Sequence, residues 1–269
     1  MSIDTSIDCD ASGLYRRKID LHAPDPSTVV GWMEDDFHHF GLKLVHDGCV
    51  VKSIEASSPR HPWTTCPGGL MEIRMLEGQA LFQRASDIGQ LIDMRQQCTH
   101  LFDLAGLAVA HAARGLTRRR FEIEMPGREV TARDSTGLFA LAFGPTVISL
   151  TRDGVHAMTW EIDADMITGP EPYAGHSMQT GFRLWTESMP LDEAECANIL
   201  RRSVMVGSSR KQSMSHIANA TQMNMPGACF TFQPLQISKA VFHPSSRQDF
   251  THRPGDMLKN IANGYPHET

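Results

Sequence analysis

The sequence has no cysteine pair at CxxC spacing, no apolar run approaching 18 residues, and no excess of basic residues. Each absence excludes something. Six cysteines (Cys9, Cys49, Cys66, Cys98, Cys196 and Cys229) lie scattered through 269 residues. In a chain this long, that scatter argues for reduced thiols rather than a disulfide framework. Without a long apolar run no membrane-spanning helix is expected. The first residues, MSIDTSIDCDASG, are polar and acidic with no apolar stretch, so no secretory leader is expected there and the cytoplasm is the expected compartment. A net charge of −6 disfavours nucleic acid as a partner, because phosphate binding needs a basic face. Its one basic cluster, Arg118-Arg119-Arg120, sits between a helical and a strand pattern and reads as a solvated turn. No GxGxxG opens a helix after a strand, and GxxxxGK[ST], GxSxG and HExxH are all missing. Nicotinamide, nucleotide triphosphate and serine-elbow chemistry are therefore disfavoured, and no cofactor is expected.

What is present is an ordinary globular balance, 41% apolar and 21% charged, with 13 histidines. Histidine is the side chain whose unperturbed pKa lies nearest neutrality, so the bias hints at acid–base or metal chemistry. Residues 1–13 read as a disordered tail, 14–258 as a single α+β domain and 259–269 as a C-terminal tail. TVVGWMEDDFHHFGLKLVHDGCVVKSIEA reads as one long hairpin turning at His46-Asp47-Gly48. The segment ASDIGQLIDMRQQCTHLFDLAGLAVAHAARG carries the strongest helical signal. It breaks near Cys98, has Thr99 as N-cap and Gly115 as its stop, and puts Leu101, Leu104, Ala105, Ala108 and Ala112 on one face. Further hairpins are expected over 119–134, at a Pro-Gly turn, and over 146–162, at Asp153-Gly154. LDEAECANILRRSVMV reads as an amphipathic helix, and ACFTFQPLQISKAVFH as a last pair of strands. The expected fold is α+β, an antiparallel sheet built from hairpins with helices packed on one side.

Three stretches hold candidate chemistry. EDDFHHF (34–40), read as a strand, puts Asp36 and His38 on one face, where a carboxylate can orient an imidazole as a base. It is equally a wet surface strand, and a metal site is the third reading. In RQQCTHLFD, Cys98 and His100 sit where a helix begins, which favours a thiolate, and Asp103 follows His100 by three residues on the same face. The plain alternative is a buried cysteine and a histidine at the cap. In SPRHPWTTCPGG, Pro59, Pro62 and Pro67 stiffen a loop that displays His61, Trp63 and Cys66. It is either a wall for a flat ligand or a connector with Trp63 in the core. Cys66, Cys98, His38 and His100 would make a sensible zinc set if they converged, although their spacing matches no finger or ribbon.

At YRRKIDLHAP, EDDFHHF, PWTTCPG, QQCTHLFDLAG and CFTFQP, the chain resembles a bacterial family catalogued as domain of unknown function 2889. The resemblance runs from about Tyr15 to Asp249 and implies that Asp36, His38, Cys66, Cys98 and His100 belong to the family pattern. It also implies a cytosolic bacterial protein in the catabolism of aromatic compounds.

The functional expectation is a cofactor-independent lyase. Asp36, His38, His100 and Asp103 would be its acid–base groups, and Trp63, Cys66, Arg95, Cys98 and His39 its substrate contacts, with no metal. A concrete version releases formaldehyde from the hydroxymethyl group of a lignin-derived, phenylcoumaran-like aromatic dimer. The alternatives are a metal-dependent hydrolase or hydratase acting on a hydrophobic substrate, and a non-catalytic small-molecule-binding protein. A homo-oligomer is compatible with either.

Overall fold

The structure, a computed structural model, describes residues 13–133, 141–212, 214, 217–223, 225–259 and 261. The expected N-terminal tail, apart from Gly13, and most of the expected C-terminal tail lie outside the described residues. The strands are β1 (Leu14–Asp25), β2 (Thr28–Asp35), β3 (His39–His46), β4 (Val51–Arg60), β5 (Arg118–Pro126), β6 (Val130–Arg133), β7 (Leu141–Phe143), β8 (Thr146–Arg152), β9 (Val155–Asp163) and β10 (Met166–Gly169). The helices are α1 (Gly69–Glu72), α2 (Ile88–Leu91), α3 (Thr99–Ala113), α4 (Phe182–Glu187) and α5 (Leu191–Gly207). Eight strands form one antiparallel sheet in the order β10-β9-β8-β5-β1-β2-β3-β4, with helices beside it, and β6–β7 form a separate pair. The fold class is α+β, as expected. No described helix is long and apolar enough to cross a membrane.

By internal packing the chain divides into two compact units. One comprises residues 1–17, 121–216 and 249–254 and contains β6–β10, α4 and α5. Here the hairpin expected at Asp153-Gly154 forms. Both residues take positive φ (53° and 80°), which Asp tolerates and Gly favours, and Arg152 pairs with Val155. Helix α5 covers Leu191–Gly207, as its periodicity predicts, and packs on β8 and β9. The hairpin expected over 119–134 does not form. β5 pairs with β8, and β6 with β7.

The other unit comprises residues 18–120, 217–248 and 255–269. Its frame is the antiparallel meander β2–β3–β4, covered by α3. Helix α3 buries Leu101, Leu104, Ala105 and Ala108 of the stripe its spacing predicts, and leaves Ala112, near its end, partly exposed. Full burial of one leucine contributes roughly 1.5–3 kcal/mol. The helix starts one residue earlier than expected, with Cys98 rather than Thr99 as the N-cap. It stops at Gly115, where φ is +60° and a side chain would be strained. The close approach of helix and sheet depends on Gly31, because a Cβ there would lie 3.0 Å from Leu21 and 3.3 Å from Leu104.

Two further expectations fail for identifiable reasons. Arg118-Arg119-Arg120 is the start of β5, not a turn. Strand alternation turns Arg119 inward, while Arg118 and Arg120 point outward and both bond Asp20. ACFTFQPLQISKAVFH does not form a strand pair. It folds into a short 3-10 turn at Phe230–Phe232 and then further turns, with a single bridge from Phe242 to Trp63. Its apolar alternation serves aromatic packing: Trp63 meets Phe232 and Phe242 edge-on, at 5.9 and 5.5 Å.

Arg119 explains a buried histidine. Its Nε donates to Nδ1 of His111 at 3.2 Å, and its Nη2 to the Leu107 carbonyl at 3.1 Å. His111 is fully buried, and burial followed by the Arg119 charge pushes its pKa down to about 4. The unfolded chain, with an ordinary histidine, therefore takes up a proton at pH values where the folded chain does not. Stability contributed by neutral His111 is present above about pH 6.5 and is lost as pH falls toward 4, by roughly 3 kcal/mol in total. His111→Asn keeps an acceptor for Arg119 and removes the proton site. Urea denaturation from pH 7 to 4 should show a shallower loss of stability in this variant than in the wild type. Parallel curves would show that His111 is not the titrating group.

Candidate functional site

EDDFHHF is a turn, not a strand. β2 ends at Asp35 and β3 begins at His39, with Glu34 paired to His39 across the ladder. Asp36, Phe37 and His38 form the connection, closed by Asp35 N–H donating to the His38 carbonyl at 2.8 Å. The alternation that would place Asp36 and His38 on one strand face therefore does not run through this segment. The fold here is local. Oδ1 of Asp35 accepts from the backbone N–H groups of Phe37 and His38, both at 2.9 Å, an Asx-type turn. The same oxygen is 2.9 Å from Nδ1 of His38. The carboxylate hydrogen-bonded to His38 is thus that of Asp35, where alternation points to Asp36.

The turn is held from outside by Arg60, the last residue of β4. Its Nη1 donates to the carbonyls of Asp36 (3.1 Å) and Ser246 (2.6 Å). Its Nη2 donates to the carbonyls of Asp35 (2.6 Å) and His38 (3.2 Å) and to Oε1 of Glu34 (3.0 Å). Glu34 in turn accepts from Leu258 N–H at 2.7 Å. The Asp36 carbonyl also takes Gln248 N–H at 2.7 Å. A planar guanidinium satisfies several fixed carbonyls at once, which a lysine cannot do.

Helix α3 supplies the second imidazole. His38 and His100 stack with ring centroids 3.8 Å apart and 27° between planes. Phe40 lies beside both rings, at 5.9 and 6.1 Å. One ligand-type atom from each of Asp35, His38 and His100 lies within 4.8 Å of the others, the only such group of three among the described residues. Asp35 is fully buried, His38 nearly so, and His100 partly open. Because Asp35 accepts at Nδ1 of His38, that nitrogen carries the proton and Nε2 holds the ring's lone pair in the neutral form. Two imidazolium rings at 3.8 Å would repel, which disfavours charging both at once.

His39 lies on β3, with Nδ1 3.7 Å from Glu34 and its ring edge-on to Trp32. Burial depresses its pKa, Glu34 raises it and Arg60 lowers it further. Its neighbour Gly41 is needed because Trp32 lies across it: a Cβ there would meet the indole at 2.3 Å. Cys98, the N-cap of α3, is buried, and desolvation drives its thiol pKa up rather than down, which corrects the expected thiolate. Cys66 is likewise buried and pushed up to about 12, its sulfur 3.5 Å from the Thr231 hydroxyl. Neither thiol belongs to the Asp35–His38–His100 group, so the zinc set of Cys66, Cys98, His38 and His100 is not assembled. Trp63 is buried among Phe232 and Phe242. Arg95 is exposed, and its carbonyl accepts from Gln233 at 2.6 Å. Asp103 is half-buried on α3, one turn after His100.

Sequence reasoning misses Asp35, Arg60 and Glu34. A signal for Asp35 exists: Asp47 makes the same turn at the other end of β3, its Oδ1 accepting from Cys49 and Val50 N–H at 2.9 Å each. For Arg60 there is none, since its partners are mostly carbonyls more than 20 residues away. Arg60→Lys should lower stability by about 2–4 kcal/mol in urea denaturation, because several buried carbonyls lose their donor. A change under about 0.5 kcal/mol would show that the turn is held by other contacts.

No curated protein matches the chain. A family model described as Protein of unknown function (DUF2889) matches residues 20–114, a segment holding EDDFHHF, PWTTCPG and CTHLFDLAG but not CFTFQP. The matched segment includes Asp35, His38, Arg60 and His100.

Proposed function

We propose that the protein is an enzyme whose chemistry is proton transfer by His38 and His100, without a redox cofactor. The observation that supports this most is the Asp35–His38 hydrogen bond at 2.9 Å combined with the stack of His38 on His100 at 3.8 Å. A carboxylate on Nδ1 orients an imidazole and stabilises its protonated form, the arrangement that lets histidine act as a general base. Repulsion disfavours charging both rings at once, so a proton on one ring favours a neutral partner, and one ring is assigned as base and the other as acid.

The reaction proposed is a lyase cleavage of a hydrophobic aromatic substrate in bacterial aromatic catabolism, in the cytoplasm. In its concrete form the substrate is a lignin-derived, phenylcoumaran-like dimer with a hydroxymethyl group. His38 removes the hydroxyl proton, the O–H electron pair forms the C=O of formaldehyde, and the C–C bond to the ring carbon breaks. Its electrons form a new C=C bond as the neighbouring C–O bond breaks, and His100 protonates the departing phenolate. Atoms and charge balance with no oxidant.

A second reading rests on one observation: Asp35, His38 and His100 place ligand-type atoms within 4.8 Å of one another, a two-histidine, one-carboxylate set suited to a divalent metal of hydrolases or hydratases. Stacking weighs against it. Face-to-face rings carry their in-plane lone pairs side by side rather than toward one point, so coordination by both imidazoles requires the stack to open.

Formaldehyde release from a phenylcoumaran-type dimer is the test. His38→Ala and His100→Ala should each lower turnover by about 100-fold or more, with unchanged thermal melting. Unchanged turnover in both variants would remove the acid–base assignment. Elemental analysis separates the second reading: about one metal per chain, lost together with activity in His100→Ala, would favour coordination, and less than about 0.1 per chain would dismiss a tightly held ion.

A further inference from the structure

The unit comprising residues 1–17, 121–216 and 249–254 contains a cavity of about 210 Å³. Its walls are largely apolar: Phe143, Met178, Val204 and Met205 contribute to them. A cavity of about 150 Å³ suffices to hold a benzene ring, so this one accommodates a substituted ring or a short branched chain.

At its edge lies a buried cation. Arg128 is 2% exposed. Its Nε donates to the Gly144 carbonyl (2.8 Å), Nη1 to the Ser208 hydroxyl (3.3 Å), and Nη2 to the carbonyls of Phe143 (3.1 Å) and Ala164 (2.9 Å). Those bonds use four of the five N–H groups, and every acceptor is neutral. Among the described residues no carboxylate is hydrogen-bonded to this guanidinium. Asp163 acts on it only at a distance, and the cavity's Asp165 bonds Ser177 at 3.0 Å. A desolvated charge without an ionic partner is costly, and an anion that reaches it gains accordingly. The fifth N–H, on Nη1, belongs to a residue that lines the cavity.

We infer that this cavity is a binding site for a small apolar carboxylic acid, with its hydrocarbon part among Met178, Val204 and Met205 and its carboxylate on Nη1 of Arg128. Neutral hydrogen-bond acceptors at Arg128 fix the guanidinium in place without neutralising it. The ligand supplies the missing charge. The Asp165 carboxylate restricts the ligand's acid group to the Arg128 end and disfavours dianions.

The probes are benzoate and benzyl alcohol, which share a ring and differ in the charge. Two-dimensional NMR of the full chain with methyl-labelled methionine should show saturable shifts of the Met178 and Met205 methyl groups with benzoate, together with contacts from its ring protons. Benzyl alcohol should bind at least about 5-fold more weakly, the loss expected when a charge-assisted hydrogen bond is replaced by a neutral one. Met205→Trp, which fills the cavity from a partly exposed position, should lower benzoate affinity about 10-fold or more. Equal binding of the two probes would overturn the role of Arg128. Absence of methyl contacts at about 10 mM benzoate, a readout that needs no variant, would overturn the site itself.

Discussion

The candidate site depends on one carboxylate oxygen. Oδ1 of Asp35 is fully buried and receives three donors: two backbone N–H groups of the turn and the ring nitrogen of His38. Each donor also needs this oxygen, because an unsatisfied buried donor costs about 1–3 kcal/mol. The backbone of the turn and the orientation of the imidazole are therefore set by a single atom. Arg60 closes the arrangement from the other side, holding the carbonyls of Asp35, Asp36 and His38. With donors on one side and acceptors on the other, the turn has little freedom to flatten into a strand, which is why a run of seven residues with β-compatible alternation folds back instead.

Placement of His100 follows from a different constraint. Helix α3 is apolar on nearly every side and lies against β2 and β3, with Gly31 allowing the close approach. The first turn of such a helix ends up over the end of the strands that it covers, and His100 is the second residue of that turn. Hydrophobic packing along 15 residues, rather than any polar contact, thus brings the second ring onto the first. The same desolvation that fixes the helix start explains why Cys98 stays a thiol. The partial positive charge at a helix N-terminus is worth at most about 2 kcal/mol, and full burial of a thiolate costs more.

Much of the fold was legible because it rests on local pattern. The stripe of α3, the full length of α5, the Asp153-Gly154 turn and the left-handed stop at Gly115 are each set by residues within a few positions of one another. What was not legible depends on distant partners. Arg119 reads as part of a charged turn until β5 alternation carries it beneath His111. Phe232 and Phe242 read as strand residues until Trp63 collects them. In the site, His38 and His100 were identifiable by residue type, but the carboxylate that bonds His38 was displaced by one residue. Reading EDDFHHF as a strand assigns partners two apart, whereas an Asx turn assigns them two and three ahead, to Phe37 and His38. Asp25 and Asp47 form the same kind of turn, with Ser27 and with Cys49 and Val50. The repeated use of Asp to close strand ends was present in the sequence as a pattern and outweighs the alternation.

Two arginines, Arg60 partly buried and Arg128 buried, separate structural from functional use of the same chemistry. Arg60 and Arg128 both bind several carbonyls, and both cross-link segments distant in sequence. Arg60 also bonds Glu34, so its charge has a partner inside the fold and its work is complete when the turn is formed. Arg128 bonds three carbonyls and a hydroxyl, which satisfy its geometry while leaving its charge without a bonded partner among the described residues. Burial lowers its pKa for the same reason. Hydrogen-bond geometry and charge balance are separate requirements, and a guanidinium that meets the first without the second keeps a preference for anions. At Arg60 that preference is consumed by the protein itself. At Arg128 it faces a cavity with apolar walls, and the two properties together select a ligand that is both hydrophobic and acidic.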